Sequence, residues 1–287
     1  MRSASAALVA VALLAGCATV ARDERHGDEL LLAEQVVRSL TGEFAGRERG
    51  DASGALIRIR VEPSRAGADG AALRMTQRAG EVVRAFRITL RPTSLATRLR
   101  GEFVPLQEGA AAARGCPVTA DLREQGFVIA TTAETCRFDR DGRSLGLVKE
   151  IAHDGRRLVI ADRVIDLDRG EPTQADRVIE LLRVRGFELW AGRRDGADDD
   201  WRVAAESALL SDGRAVDPVD AGGMPLGLTL ELAPYLVGED AAPVLRLRVF
   251  DRDSGRLLGQ SWADAGAERL GLGLPAVQIG LRAAGPR

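Results

Sequence analysis

Much of the chain alternates between apolar and polar residues, the pattern of β-strands with one buried and one wet face. Short sequences rich in Gly, Asp or Pro separate these segments, as expected for antiparallel hairpins. The segments that we predict as strands are 57–62, 73–78, 86–91, 126–132, 136–139, 144–151, 157–164, 228–232, 244–250, 256–262 and 276–281. Many short strands joined by hairpin turns predict an antiparallel meander that closes into a barrel.

One segment has helical periodicity instead. Between Asp28 and Leu40, apolar residues recur at positions 32, 36, 37 and 40. Asp28 can cap the start of this helix, and Gly42 can end it. The chain is therefore predicted to be all-β and mainly antiparallel, with a short N-terminal helix.

The N-terminus has the features of an export signal. A charge at Arg2 precedes a short apolar run that ends in small residues. The run is too short for a membrane span, which needs ~20 apolar residues. Leu14-Ala15-Gly16-Cys17 resembles the bacterial lipobox, in which the signal is cut before the cysteine and the thiol is acylated. An ordinary signal with an incidental cysteine is the alternative.

Several acyl chains would anchor the protein stably to a membrane. Ala18 follows the cysteine, where an aspartate would resemble an inner-membrane retention signal. We therefore expect a lipid-anchored protein of the cell envelope, at the periplasmic face of the outer membrane. The formal net charge of −2 provides no basic field for nucleic acid, so we expect no such partner. Lys149 is the only lysine among the 40 Lys and Arg residues.

Cys116 and Cys136 remain as a pair once Cys17 carries lipid. In an exported protein such a pair is most simply a disulfide, and a reactive thiol is the alternative. The two histidines, His26 and His153, have no partner at metal-ligand spacing, so we predict no metal site. No serine nucleophile accompanies His153, and no phosphate-binding loop is present in the sequence.

The composition changes at residues 193–200, which contain the run Asp198-Asp199-Asp200. The predicted organisation is a signal peptide at 1–16, a tether at 17–27, a β-barrel domain at 28–195 and a small β-rich module at 200–287.

Short motifs follow one another in a recognisable order along the middle of the chain. They are Leu40-Thr41-Gly42-Glu43-Phe44, Gln77, Arg84, Gly115-Cys116, Gly126-Phe127, Cys136, Glu150, Asp168-Arg169-Gly170 and Gly186-Phe187. In this order and spacing, residues 28 to 195 resemble the CpcT/CpeT family of phycobiliprotein chromophore lyases. The final 90 or so residues lie outside the resemblance.

The resemblance implies a calycin-type barrel, related in shape to lipocalins, that holds an open-chain tetrapyrrole (a bilin) in or beside it. The family joins the bilin to a cysteine thiol of a partner protein as a thioether. Ligand-binding residues would be Gln77, Arg84 and Arg169, with arginine paired to a bilin propionate. Glu150 or Asp168 would supply the proton.

Plain structural roles are the alternatives for these residues. An arginine on a strand is commonly part of a solvated face, and Glu150 can pair with a neighbouring arginine. The Asp168-Arg169-Gly170 segment can be a turn in which Asp168 caps backbone N–H groups. Three functions therefore stay open: a lipid-anchored binding barrel for a bilin-like or other apolar ligand, an active bilin lyase, and a structural or interaction lipoprotein whose barrel is filled by side chains.

Overall fold

The computed structural model describes residues 31–51, 54–67, 70–106, 115–196, 200–235 and 242–284. The predicted signal peptide, Cys17, the tether and His26 lie outside these residues. A helix, α1, covers residues 31–40. Within the described ranges, no helix has the length and apolar character needed to cross a membrane.

Ten antiparallel strands close into a barrel. In order around the ring they are β1 (Gly42–Glu48), β2 (Ile57–Ser64), β3 (Ala71–Ala79), β4 (Val82–Pro92), β5 (Arg98–Leu106), β6 (Cys116–Leu122), β7 (Phe127–Ala130), β9 (Arg143–His153), β10 (Arg157–Asp166) and β12 (Arg177–Arg183). The ring closes because β12 pairs with both β10 and β1, and β10 also pairs with β9. The predicted antiparallel β-barrel with a short N-terminal helix is therefore confirmed.

Two short strands extend the sheet outside the ring. They are β8 (Arg137–Arg140), which pairs with β9, and β11 (Glu171–Pro172), which pairs with β10. The β8–β9 connection is the two-residue turn Asp141-Gly142, in which both residues have positive φ, at 52° and 73°. Two positive φ values define a type I′ hairpin turn, which matches the right-handed twist of the strands. The hairpin predicted from the sequence is thus present.

Helix α1 closes one end of the barrel. Its apolar face packs into the same core cluster as Phe44 and the inner faces of the strands, through Ala33, Val36, Val37 and Leu40. Arg183 fixes the C-terminal end of the helix, since its guanidinium donates to the backbone oxygens of Ser39 and Thr41 and stacks 4.7 Å from the Phe44 ring centroid. We call this the closed end of the barrel.

The described residues after Arg183 form a second β unit built from two sheets. One contains β13 (Gly186–Arg193), β14 (Arg202–Val203), β15 (Ser207–Leu210), β20 (Arg269–Leu274) and β21 (Val277–Ala283). The other contains β16 (Ala215–Val216), β17 (Leu228–Tyr235), β18 (Val244–Asp251) and β19 (Leu257–Asp264). The two sheets bury a common apolar core that is separate from the barrel core.

The position of β13 differs from the sequence-based domain limits, which place residues up to 195 with the barrel. In the structure β13 pairs with β15 and β21, and the last strand of the barrel ends at Arg183. The alternating pattern of Gly186–Arg193 suits either sheet, so the sequence alone does not show which partner the strand selects. The change of sheet follows Arg183 and thus precedes the composition change at residues 193–200, of which residues 197–199 lie outside the described residues.

The second unit covers part of the outer wall of the barrel. Strand β17 contacts β1, and Pro234 and Pro243 lie beside Glu180 and Leu182 of β12. Glu180 therefore points away from the barrel interior but is buried, and Arg49 pairs with its carboxylate. This covered wall leaves the end of the barrel opposite α1 as the candidate region for ligand access.

Candidate functional site

The inner face of the barrel changes character from one end to the other. Near α1 and in the middle it is apolar and packed, with side chains such as Leu73, Met75, Ile88, Ile151 and Leu158 fully buried. At the opposite end the same inward strand positions carry polar and charged groups. This set, which we call the polar mouth, consists of Glu48, Gln77, Arg84, Lys149, Asp162 and Arg177.

Lys149 forms the floor of the polar mouth. Its Nζ pairs with Asp162 and lies 5.6 Å and 5.5 Å from the ring centroids of Phe86 and Phe103. Phe86 and Phe103 belong to β4 and β5, which are separated from β9 by β6 and β7. The lysine side chain therefore crosses the barrel interior, and its ammonium is held by a carboxylate on one side and two aromatic faces on the other.

Backbone pairing places three charges of alternating sign along the wall around this floor, and a side-chain contact adds a fourth. Lys149 is directly opposite Asp162, and Asp162 is directly opposite Arg177 on the next strand. Arg177 Nε donates to Glu48 Oε2 at 2.7 Å. Because each charge has an opposite neighbour, the row is stabilised as a network rather than as isolated pairs.

Gln77 and Arg84 form the facing wall. They are directly opposite each other on β3 and β4. They form the next inward-facing pair toward the mouth after Met75 and Phe86. Gln77 is buried, whereas the Arg84 side chain is exposed. No carboxylate of the described residues pairs with Arg84, so the mouth presents one uncompensated guanidinium above an aromatic floor.

The disulfide between Cys116 and Cys136 braces the wall beside Lys149, with its two Cα atoms 4.7 Å apart. Leu147 N donates to the backbone oxygen of Cys136, and Thr131 N donates to that of Lys149. The Thr131 hydroxyl accepts from Lys149 N at 2.8 Å. The bond thus ties the segment that positions Lys149 to strand β6, and the predicted pairing of the two cysteines is confirmed.

The structure does not bring the other predicted residues into the mouth. Glu150 lies on the outer face of β9 and is exposed. Asp168 and Arg169 are exposed in the turn after β10. The capping role expected for Asp168 belongs to Asp166, whose Oδ1 accepts from the backbone N–H groups of Asp168 and Arg169, because Asp166 is the buried residue that precedes the turn.

His153 marks the closed end of the interior. It is buried between Phe44 and Phe127, with ring centroids at 5.8 Å and 5.6 Å, and Gly155 N donates to its Nδ1. Among the described residues, Nε2 has no hydrogen-bond partner. Burial, followed by the charge of Arg183, lowers the pKa of His153 below its ordinary value, so the neutral ring is favoured.

Five residues of the site were not singled out from the sequence: Glu48, Phe86, Phe103, Asp162 and Arg177, while Lys149 was noted only as the single lysine. A usable signal exists for two of them. Lys149 continues the apolar series Leu145, Leu147 and Ile151, and Asp162 continues Leu158 and Ile160. A charge in the buried register of each of two paired strands indicates an inward-facing ion pair.

Comparison with known proteins gives limited guidance. No protein family and no curated protein matches this chain. Intact Ap-TbpB, with its N and C lobes, is similar at 8% identity and a TM-score of 0.20, over 76% of this chain and 67% of that chain. A vaccine antigen, a double mutant of transferrin binding protein B from Haemophilus parasuis Hp5, is similar at 8% identity and a TM-score of 0.21, over 84% and 75%. TM-scores this low support no inference about the function or the functional site of this protein.

Proposed function

We propose that this chain is a lipid-anchored envelope protein of the chromophore-lyase-like type, attached through Cys17, whose barrel binds a small ligand at the polar mouth. The ligand class that fits is a largely apolar, flat molecule that carries a carboxylate. An open-chain tetrapyrrole of the bilin kind has this chemistry and is the ligand that the sequence resemblance implies.

The observation that supports this proposal is the floor of the mouth. An ammonium held between two phenyl rings and a carboxylate is expensive to bury, and a methionine of similar length would fill the same space without that cost. Lys149, Phe86 and Phe103 thus offer a ligand both a charge and apolar ring surface.

Arg84 supports the carboxylate part of the proposal. Its guanidinium is exposed above the floor and pairs with no carboxylate in the described part of the chain, so a ligand carboxylate can pair with it in bidentate geometry. Lys149 with Asp162 and Arg177 with Glu48 form two neutral pairs, which leaves Arg84 as the group that selects for negative charge. The closed end is packed, so the ligand would lie in the mouth and not deep inside the barrel.

The packed interior favours a second candidate, a structural or interaction lipoprotein with no ligand in its barrel. In that case the charge row serves only to fix strand register. An active bilin lyase would need an acid beside the ligand. The candidates Glu150 and Asp168 lie outside the mouth, so Asp162 would have to take that role.

The two main candidates are separated by titrating the chain that starts at Ala18 with biliverdin and with phycocyanobilin while recording the absorption spectrum. The proposal expects a saturable spectral shift, weakened about tenfold or more by Arg84→Ala, since the variant loses a charge-assisted hydrogen bond. The matched control is Arg87→Ala, an exposed arginine of the same strand on the opposite face. An absent shift, or equal weakening by both variants, would contradict a ligand site in the mouth.

A further inference from the structure

The outer wall of the barrel has a region of strong positive charge that is distinct from the polar mouth. On β2 to β5 the outward positions hold three arginine pairs, each made of residues directly opposite one another on neighbouring strands. The pairs are Arg58–Arg78, Arg74–Arg87 and Arg91–Arg100. We call these six residues the arginine stripe.

The arginines of the stripe have no anionic partner within the described part of the chain. The carboxylates nearest to the stripe pair with other arginines. Glu62, directly opposite Arg74 on β2, pairs with Arg60, and Asp121 pairs with Arg98. Five of the six side chains are exposed, and Arg58 is half-buried. Like charges directly opposite each other destabilise a sheet, so this arrangement costs stability unless an external anion compensates it.

The stripe runs diagonally across the wall. Arg78 and Arg74 are four residues apart on β3, and Arg87 and Arg91 are four residues apart on β4, which gives a length of roughly 30 Å at ~3.4 Å per residue along each strand. Each end lies in a shallow hollow. The one at Arg58 and Arg78 has a volume of about 370 Å³, and the one at Arg91 and Arg100 about 480 Å³.

We propose that the arginine stripe is a docking surface for anionic lipid headgroups, which holds this wall of the barrel against a membrane. Guanidinium groups suit the oxyanions of phosphate because they donate in a planar fork. A bilayer presents such groups over the whole length of the stripe at once. The choice of a membrane as the occupant rests in part on the proposed lipid anchor, since a tether of about ten residues keeps the barrel close to the bilayer and raises the local headgroup concentration.

Two further observations favour lipid over nucleic acid as the polyanion. The Cys116–Cys136 bond is formed, and disulfides persist mainly in exported compartments, where nucleic acid is not the usual partner. The protein as a whole is also slightly acidic, with a formal net charge of −2. The excess of positive charge at the stripe is therefore local, which suits contact with a charged surface rather than enclosure of a nucleic-acid strand.

The test measures vesicle binding of the chain starting at Ala18, which contains every described residue and has no lipid of its own. Vesicles of phosphatidylcholine alone are compared with vesicles containing 30% phosphatidylglycerol, at low and high salt. We expect salt-sensitive binding to the anionic vesicles only. Arg74→Gln combined with Arg87→Gln should weaken it by about fivefold for each arginine, hence about 25-fold.

The matched control is Arg163→Gln combined with Arg282→Gln, which removes the same charge from exposed arginines that pair with Asp176 and Glu188 elsewhere. This control should bind as the parent does. Equal loss in both double variants, no binding to anionic vesicles, or tighter binding to duplex DNA than to those vesicles would each overturn the proposal. A thermal melt of the stripe variant, expected at or above the parent value because the Arg74–Arg87 repulsion is gone, excludes misfolding as the cause.

The vesicle assay is independent of the proposed ligand site. It requires neither acylation of Cys17 nor an occupied mouth, and the stripe variants leave Arg84 and Lys149 unchanged. A negative result in the vesicle assay would thus not count against the ligand site. A negative result in the bilin titration would not count against the arginine stripe.

Discussion

Lys149 and Asp162 are directly opposite each other on the inner faces of β9 and β10, and their side chains form an ion pair inside the barrel. The lysine side chain is 10% exposed and the aspartate 26%, so the carboxylate is the member that still reaches water. Because the two groups compensate each other, the effect of removing one should differ from the effect of removing both.

Lys149→Met should lower the free energy of unfolding by about 2 kcal/mol, because Asp162 loses its partner while it stays mostly buried. Combining Lys149→Met with Asp162→Leu should recover most of that loss, since no buried charge is then left unpaired. Urea unfolding of the single and double variants checks the prediction. Equal stability of both would show that the pair does not behave as a buried, coupled unit.

The pH dependence of stability should carry a contribution from His153. Its pKa is lowered in the folded state by burial and then by Arg183, while Asp154 acts in the opposite direction. The unfolded chain therefore takes up a proton on His153 as the pH falls through about 6.5, whereas the folded chain takes it up only at a lower pH. This contribution to stability is fully present above about pH 6.5 and is lost as the pH falls below it.

His153→Leu should remove that acid slope. It should also relieve the unpaired Nε2, although Gly155 N then loses its acceptor, so the net change at pH 8 is expected to lie within about 1 kcal/mol. Thermal melts of parent and variant between pH 5 and pH 8 provide the measurement. A slope that survives in the variant would assign the acid sensitivity to another group.

The alternating patterns of Ile57–Val61 or Leu228–Leu232 predict strands well, because one face of each is buried and the other is wet. Strands β5, β6 and β12 were missed, since Gly101, Pro117 and the run Val178–Leu182 interrupt the alternation that marks a strand. Arg84 and Gln77 were found only through the resemblance. The position of Phe103 and Arg177 at the mouth depends on which strands become neighbours around the closed barrel. No local sequence pattern contains that information, so the sequence did not predict it.

Gly126 should be much less tolerant of substitution than Gly142. Both have positive φ, at 89° and 73°, but a Cβ at Gly126 would lie 1.7 Å from the backbone oxygen of His153, whereas nothing lies within 4 Å at Gly142. Gly142→Ala should cost about 1 kcal/mol for its backbone conformation alone. Gly126→Ala should cost at least about 2 kcal/mol more, because two backbones must move apart. Chemical denaturation of the two variants tests the difference.

The Cys116–Cys136 bond should contribute both to overall stability and to the order of the wall beside Lys149. Replacing both cysteines by alanine should cost about 3 kcal/mol, as expected for a closed loop of 20 residues, on the view that the bond restricts the unfolded chain. The loss should not be spread evenly over the barrel. The backbone hydrogen bonds of Thr131 to Lys149 and of Leu147 to Cys136 lie nearest to the removed bond, so their amides should exchange first.

Hydrogen exchange on the parent and the double variant distinguishes this local effect from a general loss of stability. We expect Thr131 and Leu147 to lose more protection than Leu73 and Ile88, which lie on the other side of the barrel in β3 and β4. A uniform loss at all four amides would mean that the disulfide acts on the unfolded state alone. Selective loss at Thr131 and Leu147 would mean that it also holds the wall that positions Lys149, so that reduction would loosen the floor of the polar mouth.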